Sequence, residues 1–122
     1  MPDALLDALI FQESSNNPNA RSHKDARGLM QITDPALTDY NTYKQADYTM
    51  DQMYDPSLNQ AVGTWYLNQR IPQMLKHYKL PDTTEYRLWA YNAGIGNVVK
   101  GIKPKETQDY IAKILYYMEH PQ

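Results

Sequence analysis

The chain has 122 residues, a net charge of −2, 42% hydrophobic and 21% charged residues, and no Cys. These are ordinary values for one globular domain spanning 1–122 with a real core. They exclude disulfides and thiolate metal sites. A pI of about 5.8 gives no nucleic-acid signature, and no apolar run nears the roughly 20 residues that cross a bilayer, so no stable membrane insertion is expected.

The N-terminus has no basic region followed by an apolar stretch and a cleavage site, so no signal peptide is read in this chain. Action from inside a cell or virion and a leader already removed both remain open. "MPDALL" starts almost directly on a helix, with Pro2 suited to a first turn. Leu5 and Leu9, and Leu6 and Ile10, repeat at i, i+4 and predict a helix over 3–13. Glu13, four positions after Leu9, projects from the same face as Leu5 and Leu9. Asn16, Asn17 and Pro18 then break the helix.

Gly28 to Ile32 is expected to begin a short helix, and Thr33 or Asp34 before Pro35 reads as a second helix start. Residues 39–55 lack a clean period and read as a loop with one short helix. Asp55-Pro56 opens a long helix with Leu58, Val62, Trp65, Tyr66 and Gln69 on one face. Pro72 is expected to kink or interrupt it. A helix over 83–92 turns Tyr86, Trp89 and Ala90 inward and is capped by Gly94. A short helix over 95–100 follows. Pro104 opens the last helix, whose core face is Ile111, Ile114, Leu115 and Met118. Strand signals are weak and no repeat is visible, so the fold class is all-α: a compact multi-helix domain.

Eleven Tyr, two Trp and one Phe suit half-buried positions at the rim of a core. The same rings would also suit a groove for sugars. Trp65 and Trp89 read as core. Lys100, Lys103 and Lys105 read as a solvated face. His23, His77 and His120 are scattered without a metal-binding spacing, so no metal is expected. Gly94 and Gly96 are only a fragment of a phosphate loop, and no cofactor is expected.

Five stretches carry a resemblance: "ESSNNPNARS" at 13–22, "GLMQI" at 28–32, "DPSLNQAVGTWYL" at 55–67, "AYNAGIGNV" at 90–98 and "ETQDYIAKI" at 106–114. In this order they resemble the blocks of the soluble lytic transglycosylase family, whose lysozyme-like domain is also similar to goose-type lysozyme. The resemblance implies a mostly helical lobe with a substrate cleft and one catalytic acid, Glu13. It implies that Ser22, Gln31, Tyr91, Asn92, Glu106 and Tyr110 line the sugar groove, with Tyr110 close to Glu13. The implied substrate is the peptidoglycan glycan strand, cut between N-acetylmuramic acid and N-acetylglucosamine. The implied place is the periplasm, the cell exterior or a phage virion. A monomer is expected, with membership of a larger secretion or virion assembly left open. Asn16, Asp25 and Thr33 depart from the family pattern, where an aromatic, a Gly and a Met are usual.

Each of these residues has a plainer structural reading. Glu13 by position alone is a helix-end acid in water, Ser22 a turn former, Asn92 a helix closer and Glu106 a favourable charge near a helix start. Gln31 is evenly balanced between backbone and substrate. Tyr110, four positions after Glu106, suits core or groove. Most glycosidases use two carboxylates, and only Glu13 is placed by pattern. Asp25, Asp34 and Glu106 are free to approach it in space. The resemblance implies a one-acid route in which the muramic N-acetyl group attacks C1 and the C6 hydroxyl then closes a 1,6-anhydro ring. One carboxyl acting as acid and then base needs a pKa raised toward working pH, which apolar burial supplies. A hydrolase using water and an inactive wall-binding module are the competing readings.

Overall fold

Side-chain caps and prolines set most of the helix starts in the computed structural model, which describes residues 3–122. Helix α1 (Ala4–Ser14) starts at Asp3, whose carboxylate accepts from the Leu6 amide at 3.0 Å. The expectation for Pro2 lies outside the described residues. Helix α2 (Asp34–Lys44) is capped by Thr33, α3 (Pro56–Trp65) by Asp55 and α5 (Thr84–Ala93) by Thr83. Each cap oxygen takes up an amide that has no partner inside its helix. Gly94, at φ 87° and ψ 149°, ends α5 and starts α6 (Ile95–Lys100) in one corner. Pro104 precedes α7 (Lys105–Glu119).

Three local expectations are corrected. Residues 28–32 form no helix: Arg27 and Ile32 pair in an isolated bridge and the chain turns between them. Gly28 and Gln31 have φ of 79° and 52° there, a conformation that helix propagation does not permit. Residues 39–44 are not loop but the second half of α2, and a 3₁₀ turn spans Met50–Tyr54. Pro72 does not interrupt its helix either. A π turn over Tyr66–Arg70 joins α3 to α4 (Ile71–His77), and the Ile71 amide bonds to the Tyr66 carbonyl five residues back. Widening the turn just before Pro72 accommodates a ring that would crowd the preceding α-helical carbonyl, so the rod runs on.

Among the described residues there is no strand, only two isolated bridges, and the fold is all-α. Leu9, Met30, Ile32, Met53, Val62, Leu67, Ile71, Leu75, Leu88 and Ile114 are fully buried in one core. Trp65 and Trp89 are both 7% exposed, and the Trp89 indole donates to the Ile102 carbonyl at 2.9 Å. Helix α7 packs against α1 and α5, turning Thr107, Tyr110, Ile111 and Ile114 inward. That packing sets the last helix beside the end of the first, where Glu13 stands. Among the described residues no helix is long and apolar enough to cross a membrane.

Candidate active site

Glu13 occupies the last turn of α1. Leu9, one turn earlier, is fully buried, and Leu5 packs against the core. Across from it, the Tyr110 hydroxyl of α7 donates to Glu13 Oε2 at 2.8 Å. Burial of the carboxyl raises its pKa to about 7, and the Tyr110 hydrogen bond pulls the other way but only partly offsets it. Burial has the greater effect because desolvation penalises the charge itself, whereas one hydroxyl restores a single interaction. The residue still keeps part of its surface open, and it lines a cleft of about 390 Å³ with Gln12, Asn92, Glu106, Asp109, Tyr110 and Lys113.

Four of the seven residues singled out from the sequence therefore share one cleft: Glu13, Asn92, Glu106 and Tyr110. Tyr91 stands just behind, its hydroxyl donating to the Met30 carbonyl at 2.7 Å. Burial, followed by the negative charge of Glu13, pushes its pKa well up. Asn92 is held through its Oδ1, which accepts from Thr107 Oγ1 at 2.7 Å. Ser22 and Gln31 sit in the return loop and do not line this cleft. The Ser22 hydroxyl accepts from the Lys24 and Ala26 amides at 3.2 and 3.1 Å. The Gln31 amide nitrogen donates to the Ala20 and Gly28 carbonyls at 3.2 and 2.9 Å. Both side chains brace the loop, and the Gln31 carbonyl oxygen and the Ser22 hydroxyl proton stay free of these bonds.

The loop that follows Glu13 is tied from several sides. Ser14 Oγ donates to the Leu29 carbonyl at 2.8 Å, fastening the end of α1 to the "GLMQI" turn. Asn59, fully buried on α3, accepts from the Met30 amide at 2.8 Å and donates to the Arg27 and Met53 carbonyls at 2.9 and 2.8 Å. A Cβ at Gly28 would overlap the Asn59 amide and the Met53 carbonyl, and one at Gly63 would overlap Met30. Sequence reasoning missed the part of Asn59, although a lone amide on an otherwise apolar helix face was a signal for it. Asp109 and Lys113 were also missed. They follow Glu106 at i+3 and i+7, one face of α7.

Asp25 has φ 66°, a conformation that Asp tolerates better than most residues. Its carboxylate accepts from Arg27 Nε at 3.0 Å and Arg21 Nε at 2.7 Å, and the hydrogen bond from Arg27 does most to hold its pKa down. Arg27 also pairs with Asp51 at 2.6 Å. The charge in the return loop is thus committed to arginines and is not a second acid for Glu13. Asp34 lies in the first turn of α2 and outside the cleft. No group of three potential metal ligands occurs among the described residues.

A helical domain with a cleft that holds a buried carboxyl tuned near neutrality is the class that this fold and site define. The sequence model of the family described as "Transglycosylase SLT domain" matches residues 1–114. The chain belongs to this family. It is 38% identical over 94 residues to the membrane-bound lytic murein transglycosylase F of Pseudoalteromonas translucida, covering 77% of this chain and 18% of that protein. It is 32% identical over 102 residues to the membrane-bound lytic murein transglycosylase C of Salmonella typhimurium, covering 80% and 28%. The crystal structure of the 70 kDa soluble lytic transglycosylase of Escherichia coli is similar with a TM-score of 0.80 and 28% identity, over 97% of this chain and 21% of that one. The chain thus spans only 18% to 28% of the length of these relatives.

Proposed function

We propose that residues 1–122 act as a single catalytic domain that cleaves the peptidoglycan glycan strand by lytic transglycosylation, with Glu13 as acid and then base. The observation that carries this reading is the pKa of about 7 at Glu13, which leaves the carboxyl able both to give and to take a proton near neutral pH. The names of the relatives, murein transglycosylases, support the substrate.

In the proposed sequence, protonated Glu13 gives its proton to the oxygen between N-acetylmuramic acid and N-acetylglucosamine. The C1–O bond breaks as the muramic acetamido oxygen bonds to C1, giving an oxazolinium-like intermediate. The C6 hydroxyl then attacks C1 and displaces that oxygen. Its proton returns to Glu13, the 1,6-anhydro ring closes, and no water is consumed. Tyr110 orients Glu13 through the 2.8 Å bond. Asn92 and Glu106 contact sugar within the cleft. Tyr91 supports the wall, and Ser22 and Gln31 approach substrate from the return loop. The place of action is where the wall is exposed: periplasm, cell exterior or virion.

A second reading has its own observation. Glu106 and Asp109 line the same cleft, and either carboxylate offers a base for water, which would make the enzyme a hydrolase of the same bond. Mass spectrometry of digested peptidoglycan separates the two readings. Products bearing 1,6-anhydromuramic ends are expected, and reducing ends throughout would replace transglycosylation by hydrolysis. Glu13→Gln is expected to abolish cleavage while retaining binding to purified walls. Full wall clearing by that variant would overturn the assignment of Glu13.

A further inference from the structure

Residues 39–54 correspond to none of the five sequence blocks, yet the first part of this stretch packs on the π turn. Arg70, the last residue of that turn, donates from Nε to Asp39 Oδ2 at 3.2 Å. Its guanidinium lies 4.8 Å from the ring centroid of Tyr43, which is 54% exposed. Tyr66, one turn before Arg70, is half-buried, and its pKa is raised by burial and by Asp39 while Arg70 lowers it. Its hydroxyl therefore sits within electrostatic reach of both charges. No polar side-chain atom that is fully buried lacks a partner among the described residues. The Tyr66 hydroxyl has no hydrogen-bond partner among the described residues, so although the ring is largely buried the oxygen is not wholly sealed from solvent.

The rings also form a continuous run. Tyr91, which feels the charge of Glu13, meets Tyr66 at 6.0 Å. Tyr66 meets Trp65 at 6.3 Å, and Trp65 meets Tyr43 at 5.8 Å. The line leads from the wall of the Glu13 cleft out to an exposed ring beside a neutralised ion pair. An exposed aromatic face offers apolar contact to the C–H face of a pyranose. A fixed carboxylate next to a fixed guanidinium offers an acceptor and a donor for adjacent hydroxyl or acetamido groups. The pair carries no net charge, which favours a neutral sugar over an anion.

We propose that Tyr43, Asp39, Arg70 and the Tyr66 hydroxyl form an outer saccharide subsite that binds a neutral N-acetylated sugar of the glycan strand, away from the bond being cut. The proposal rests on the glycan-cleaving function above. An occupied outer subsite holds long strands and leaves short ones unaffected. If the cluster only fastened α2 to the π turn, its loss would weaken the fold and affect every substrate alike.

The test is steady-state cleavage of uncrosslinked glycan strands of graded length by wild type, Tyr43→Ala and Arg70→Gln. KM for long strands is expected to rise by about tenfold, the equivalent of one good ring or guanidinium contact. The kcat value and the cleavage of the shortest substrates stay unchanged. Wild-type length dependence in both variants would overturn the subsite, as would an equal loss on short and long strands. Tyr43→Ala removes an exposed ring and decides the matter if Arg70→Gln does not fold. If wild type cut no glycan at all, the proposed function would fail. NMR titration with N-acetylglucosamine oligomers then judges the subsite by itself: shifts at Tyr43 and Arg70 that vanish in Tyr43→Ala support it, and none in wild type overturns it.

Discussion

At Glu13, a pKa of about 7 in the fold against 4.5 for the ordinary side chain ties stability to pH. The folded state holds the proton more tightly than the unfolded chain. The contribution of Glu13 is therefore fully favourable below pH 4.5 and is lost as pH rises to about 7. The whole effect is at most about 3 kcal/mol. Glu13→Gln keeps an acceptor for the Tyr110 hydroxyl and removes the charge. Urea midpoints measured across pH are expected to show this variant more stable than wild type by roughly 1–3 kcal/mol at pH 8, with the gap closing toward pH 4.5. On the proposed mechanism wild-type kcat/KM needs Glu13 protonated, and it is expected to fall as pH rises through about 7. Tyr110→Phe removes a hydrogen bond that lowers the Glu13 pKa. The alkaline limb should then move up by about one pH unit, and an unmoved limb would show that another group sets it.

At the scale of elements, α3 ties down the loop that follows Glu13 through the Asn59 amide. Asn59→Ala strands the Met30 amide and leaves the Arg27 and Met53 carbonyls without that donor, at a cost of about 3 kcal/mol or more. Denaturant midpoints measure that loss, and glycan cleavage is expected to fall with it as the turn loosens. Gly63→Ala drives a methyl into fully buried Met30, and a cost of about 1–3 kcal/mol is expected by the same measurement. These elements also separate what was legible in the sequence from what was not. Helix starts near Pro35 and at Asp55 rest on a local rule, a polar cap followed by a proline, and such rules can be read from a few letters. The 28–32 turn was misread because its backbone is held in left-handed conformations by Asn59 and Ser14, partners far along the chain. The second half of α2 was missed because its own residues have little apolar period, and packing on α3 stabilises it instead. Pro72 was expected to kink or interrupt the helix, and the π turn upstream that lets the helical run continue has no short-range signal. Glu13 was singled out by the motif around it, while its position alone read as a helix-end acid in water; its burial depends on α7, far along the chain. Asp109 and Lys113 became cleft residues only through the docking of α7.

For the whole molecule, the decisive contact joins residues 97 positions apart, Tyr110 and Glu13. Helix α7 supplies Tyr110, Ile111 and Ile114 to the core that covers α1. A chain ending before residue 105 would expose that face. It is expected to show no cooperative thermal transition by circular dichroism, since several fully buried side chains lose their packing at about 2–5 kcal/mol each. A cooperative transition in the shortened chain would make α7 an appendage instead of a wall of the core.

The same contact has a consequence for when the acid exists at all. In an unfolded chain Glu13 is an ordinary carboxyl, ionised at neutral pH. Its raised affinity for the proton comes from surroundings that are complete only when α7 has docked on α1. On the proposed mechanism, a chain in which α7 has not yet packed on α1 therefore carries no primed acid, and the proton donor comes into being with that contact.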